Sequence, residues 1–268
     1  MMELLTELHA SRGAGVKIAV VDSGVEADHP WMGGRLSASY RVEKITADYE
    51  VVPCAAAADL IGHGTAVVGT IRRFAPDVEI ISVQVLGSGL RADSEALLAA
   101  LRWLVNQDIH LVNLSLSTMR EQFALRMGHA IDDLSAKDVS CICARGYHLT
   151  GRAYPTDFAG VVAVSYKELP PARLVFRPRE SVEFDASGVN IEVAWKSAPD
   201  SPGATRMVQG SSFACPLVTG LSARMLALRP DLAPYELKTL LKAYAVRQAD
   251  GWWEPWMDSV ALPPVPAG

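Results

Sequence analysis

The sequence predicts an α/β fold, three-layer αβα with a mostly parallel central sheet. Three observations predict it: short apolar runs rich in β-branched residues, amphipathic stretches at helical spacing between them, and turn signals at the ends of the runs. The first run, Val16 to Val21, ends at the turn signal Asp22-Ser23-Gly24. The second, Val78 to Val85, ends at Leu86-Gly87-Ser88-Gly89. Between it and the run Leu111 to Leu116, the segment Ser94 to Gln107 puts Leu97, Leu98, Leu101, Leu104 and Val105 on one helical face. A helical stretch over Glu121 to Asp133 and the runs Val139 to Ala144 and Val161 to Ser165 follow. Strands that are continuously apolar are buried on both faces, as in a parallel sheet covered by helices. Two more helices are predicted, from about Ser212 to Leu228 and over Pro234 to Val246. Lys167 to Ser201, rich in proline and charge, reads as a surface segment.

At 268 residues with no repeat or linker, the chain is expected to form a single domain over 1–268. Half the residues are apolar and 21% are charged, ordinary globular composition. A net charge of −5 and basic clusters as short as Arg72-Arg73 argue against a nucleic-acid partner. No secretory signal and no apolar run of spanning length is visible, so a soluble cytoplasmic protein without a membrane partner is expected. Cys54, Cys141, Cys143 and Cys215 lack the paired spacing of a zinc site and read as buried thiols. No metal or other cofactor is expected.

Three local signatures carry chemistry. Asp22 follows the first run, where loops at the carboxyl ends of parallel strands bind ligands; an isolated Asp there is also an ordinary turn former. His63 lies in Gly62-His63-Gly64-Thr65-Ala66-Val67-Val68-Gly69-Thr70, where flanking glycines let another backbone approach the imidazole, although a packed helix start would also hold a histidine. Ser212 lies in Gly210-Ser211-Ser212-Phe213-Ala214-Cys215-Pro216, a helix opening with proline in its first turn. Free N–H groups there favour an oxyanion, and either serine alone would also serve as a cap.

Taken together and in this order, the three signatures resemble the subtilisin-like serine peptidases, the subtilases. Only Ser211 departs, standing where threonine is usual. Val83 to Gly87, Val112 to Ser117, Ala153-Tyr154-Pro155, Asp185 to Val189 and Leu217 to Gly220 extend the likeness over most of the chain. The resemblance implies a serine endopeptidase with Asp22, His63 and Ser212 as triad. Ser212 would attack the scissile carbonyl, His63 would move the proton, and Asp22 would orient the imidazole. It also implies a peptide or protein substrate lying along Gly87, Ser88, Gly89 and Ser115, Leu116, Ser117, with Ala144 and Ala153 in the wall of a roomy apolar pocket.

The departures from the family pattern shape the expected activity. The asparagine that donates to the oxyanion in most subtilases is absent, and Gly146 stands at its place. The backbone N–H of Ser212 remains, with Arg145 and His148 as candidate replacements. The segment Ile71 to Pro76 leaves no room for the calcium loop of many relatives, and 21 residues before Asp22 are too few for a folding prosegment. A restricted intracellular processing protease is therefore expected, for instance one that cleaves a leader from a precursor with biosynthetic partner proteins. A pseudopeptidase that binds peptides, or a transpeptidase or macrocyclase, is the alternative. Trp252-Trp253-Glu254-Pro255-Trp256 reads as packing rather than as a ligand platform.

Overall fold

Alternation within each apolar run decides how the layers form. In β1 (Lys17–Asp22), Ile18 and Val20 face one core while Ala19 and Val21 face another. The computed structural model describes residues 5, 7–32, 36–54, 59–145, 150–198, 201–253 and 257. After β1 comes a hairpin, β2 (Leu36–Ile45) and β3 (Asp48–Pro53), then α1 (His63–Phe74), β4 (Glu79–Gln84), α2 (Ser94–Leu104) and β5 (Leu111–Leu114). A 3-10 turn, Glu121–Phe123, leads into α3 (Ala124–Ser135), β6 (Ser140–Ala144) and β7 (Val161–Lys167). Short strands follow: β8 (Leu174–Phe176), β9 (Phe184–Ser187), β10 (Ile191–Ala194) and β11 (Thr205–Val208). Helices α4 (Ser211–Leu228) and α5 (Pro234–Ala249) complete the described elements.

The main sheet has the order β3-β2-β4-β1-β5-β6-β7-β9-β8, parallel from β2 to β9 and antiparallel only where β3 and β8 join its edges. Residues of α1, α4 and α5 pack on one face, and those of α2 and α3 on the other. Chain order reverses at β1, which lies between β4 and β5, so a crevice opens beyond its carboxyl end. Asp22 is the last residue of that strand.

Two expectations are corrected. Lys167 to Ser201 is not simply a surface segment: it contains β8, β9 and β10, and β9 is fully buried. Its Asp185 is tolerated there because Lys167 lies 2.8 Å and Arg177 3.4 Å from the carboxylate. Helix α4 is long and apolar enough to cross a membrane by length and composition, yet 83% of it is buried within the protein, as suits a core helix. Cys141 and Cys143 share the α2–α3 face of β6, and burial pushes the Cys141 thiol up to about 12. Trp252 and Trp253 pack against the α5 side of the core, with Trp252 edge-on to Tyr244 at 5.6 Å.

Candidate active site

Asp22 and His63 meet because two tight turns are built to touch. Gly64 follows His63 in the first turn of α1, and a Cβ on it would lie 2.0 Å from the Gly24 carbonyl oxygen. Gly62 caps the helix at φ 109°, a left-handed conformation that glycine adopts freely. The glycines on either side of His63 are thus explained by close backbone approach. His63 Nδ1 stands 2.7 Å from Asp22 Oδ1, which also accepts Ser23 N–H at 2.8 Å. Asp22 Oδ2 is buried without a hydrogen-bond partner among the described residues. The bond to Asp22 fixes the proton on Nδ1 and leaves Nε2 as the basic nitrogen. Burial is the largest single influence on the imidazole and pushes its pKa down. The Asp22 charge, the hydrogen bond to Asp22 and the Asp59 charge together outweigh it, so the net shift is upward.

Ser212 occupies the second position of α4, and the ring of the next residue, Phe213, lies 5.3 Å from the imidazole. Pro216 stands in the second turn rather than the first, which corrects the sequence expectation. Lacking an N–H, it leaves the Ser212 carbonyl without its intrahelical donor, and Ser115 Oγ donates to that oxygen at 3.2 Å. In return the Ser212 hydroxyl donates to the Ser115 carbonyl at 3.3 Å, not to His63. The Ser212 N–H, in the first turn of α4, has no hydrogen-bond acceptor among the described residues. Asn113 anchors the helix from beneath, accepting Thr219 Oγ1 at 2.8 Å and donating to Ser115 Oγ at 3.2 Å.

The strand ends expected to hold substrate flank this centre. Leu86 N–H donates to the Asp22 carbonyl at 3.0 Å, and Gly87 closes a turn with Arg91, leaving Ser88 and Gly89 exposed at its tip. Leu116 and Ser117, just beyond Ser115, line an open cavity of about 280 Å³ together with Leu86, Arg91, Ser94 and Arg120. Ala144 and Ala153, expected in a pocket wall, are 5% and 0% exposed. Arg145, a candidate oxyanion donor, is held by Asp157 and Gly151. Its Nε donates to Asp157 at 2.7 Å and its Nη2 to the Gly151 carbonyl at 2.8 Å, so these two nitrogens brace the loop after β6. Gly146 and His148 lie outside the described residues. The sequence reading missed Asp59 and Asn113, whose side chains hold these turns in place; Asp59 stands four residues before His63, and that spacing was the available signal.

Residues 13–254 match the family model described as the Subtilase family, peptidase S8. The chain is a subtilase. M-protease of Shouchella clausii (strain KSM-K16) is 28% identical over 243 residues, covering 86% of this chain and 59% of that relative. Subtilisin Savinase of Lederbergia lenta is 28% identical over 243 residues, covering 86% of this chain and 83% of that relative. Among solved structures, a cold adapted subtilisin-like serine proteinase superposes with a TM-score of 0.69 at 25% identity, covering 87% of this chain and 83% of its own. This subtilase therefore spans about three-fifths of the length of M-protease. Among its described residues, no group of three or more His, Cys, Asp or Glu side chains is placed to hold a metal ion.

Proposed function

We propose that this subtilase is a serine endopeptidase in which Asp22, His63 and Ser212 form the triad. The observation that carries the reading is the 2.7 Å contact between Asp22 and His63, with the Ser212 turn packed beside the imidazole. His63 Nε2 takes the proton from Ser212 Oγ as the hydroxyl attacks the scissile carbonyl. Asp22 stabilises the imidazolium, which then protonates the leaving amine; water repeats the cycle on the acyl-enzyme. The hydroxyl must give up the Ser115 carbonyl and turn to His63 Nε2, a change that substrate binding can drive. The Ser212 N–H at the positive end of α4 stabilises the oxyanion.

With glycine where the family usually has asparagine, turnover is expected to lose a factor of about 10²–10³, a magnitude known from this family. A slow and selective enzyme suits precursor or leader cleavage inside the cell, in company with biosynthetic partner proteins, better than bulk degradation. A peptide or protein is the substrate. The hydrogen bond from the Ser212 hydroxyl to Ser115 favours a second reading, a non-catalytic peptide-binding module.

A fluorophosphonate probe separates the two. Labelling of the wild type that is lost in Ser212→Ala supports the peptidase. A wild type left unlabelled from pH 6 to 10 supports the binding module. Product mass with an added amine nucleophile then distinguishes hydrolysis from transpeptidation or macrocyclisation.

A further inference from the structure

Asp59 is a carboxylate with every lone pair in use. It is 3% exposed, yet no basic side chain pairs with it among the described residues. Its Oδ1 accepts Ser23 Oγ–H at 2.7 Å and Ile61 N–H at 2.9 Å. Its Oδ2 accepts Thr65 N–H at 2.8 Å and Thr65 Oγ–H at 2.7 Å. Four donors and no acceptor match a carboxylate anion and match an amide poorly. The bridge continues, since Ser23 Oγ in turn accepts Gly64 N–H at 3.0 Å. Asp59 is thus bonded to the residue after Asp22 and, directly or through Ser23, to residues on both sides of His63.

A helix cap satisfies N–H groups within its own helix. Asp59 does that at Thr65, and also reaches across to the Asp22 turn. Among the described residues, Asp22 and Asp59 are the charged groups that favour the protonated form of His63. We propose that Asp59 is a positioning residue for the peptidase reaction: it locks the Asp22 turn onto the first turn of α1 and adds a second negative charge that favours the imidazolium formed at His63. The proposal rests on the peptidase reading above and names what keeps its acid–base pair in register. Its electrostatic half follows the upward shift of the imidazole, to which the Asp59 charge contributes.

The test compares Asp59→Asn with wild type by NMR titration of the His63 imidazole and by peptide hydrolysis. Asp59→Asn is expected to move the imidazole midpoint and the acid limb of kcat/KM to lower pH, and to lower kcat by about tenfold with KM within about twofold. A cap alone would lower thermal stability and leave the titration and kcat unchanged, and that result overturns the proposal. Should Asp59→Asn fail to fold, Ser23→Ala breaks the bridge while keeping the charge. A kcat about tenfold lower with the imidazole midpoint unmoved then supports the proposal, and a kcat within twofold of wild type overturns it. If the wild type takes no fluorophosphonate, the peptidase reading fails by itself, while the imidazole titration still decides whether Asp59 acts on His63.

Discussion

A methyl group on residue 64 would collide with the Gly24 carbonyl, so Gly64→Ala must push α1 away from the Asp22 turn. Overpacking of this kind costs about 1–3 kcal/mol, and a displacement near 1 Å at a reacting pair costs about 10²-fold in rate. Thermal unfolding and a peptidase assay should show both losses together. The upward shift at His63 sets a pH dependence whose sign is fixed. A base must be neutral to accept the serine proton, so kcat/KM should rise with pH through a midpoint above the ordinary imidazole value. Stability runs the other way: the contribution of the His63–Asp22 pair is full below the unfolded-state pKa and is lost as pH rises through the folded one. At Arg145 and Asp157, only 12% and 11% exposed, Asp157→Ala removes the carboxylate from a largely buried guanidinium that keeps its Gly151 carbonyl and should cost about 1–3 kcal/mol in chemical denaturation. The proposed triad residues Asp22, His63 and Ser212 stand out in the sequence because local motifs carry them. Asp59 and Asn113 were harder to read, because their decisive bonds, to Ser23 and to Thr219, join residues distant in sequence; only the four-residue spacing of Asp59 to His63 gave a local signal.

The same division between local pattern and distant partner holds for the elements. Strands β1, β4, β5, β6 and β7 appear in the sequence as mostly apolar runs because both of their faces are covered, with Glu79 at the exposed start of β4 and the buried Asn113 as interruptions. The β2–β3 hairpin was missed: its residues are half-buried or exposed, so no apolar run marks them. Strands β8 to β11, three or four residues each, were too short to show a period, and β9 hides its Asp185 behind cations contributed from β7 and from Arg177 just beyond β8. The segments 86–94 and 116–120 enclose the open cavity beside the catalytic turn. Arg91 and Arg120 line it and form no ion pair among the described residues; the facing Asp93, which accepts Glu95 N–H and Tyr49 O–H and feels the Arg120 charge, offsets only one of the two cations. Peptides with an acidic side chain reaching this cavity should therefore be preferred. Replacing both arginines by alanine should raise KM for an acidic peptide by about 3–10-fold and leave a neutral analogue unchanged. In the wild type, added salt should erode the same preference.

At the scale of the molecule, the central sheet makes one body of its two cores. Ile18, Val20, Ile142 and Ala144 face the layer of α1, α4 and α5, while Ala19, Val21, Cys141 and Cys143, on the same strands, face α2 and α3. Neither core can lose its packing without exposing strands that the other requires, and Asp22 sits at the end of one of those strands. Unfolding should accordingly be a single cooperative transition, as for one domain. Tryptophans on opposite faces make this measurable: Trp103 packs against the α2–α3 core, whereas Trp31, Trp252 and Trp253 pack against the other. The difference in fluorescence between wild type and Trp103→Phe reports the first face, and the fluorescence that remains in the variant reports mainly the second. Coincident urea midpoints from both signals and from far-UV circular dichroism are expected. Separate midpoints would mean that the layers come apart independently and that the shared strands do not couple them.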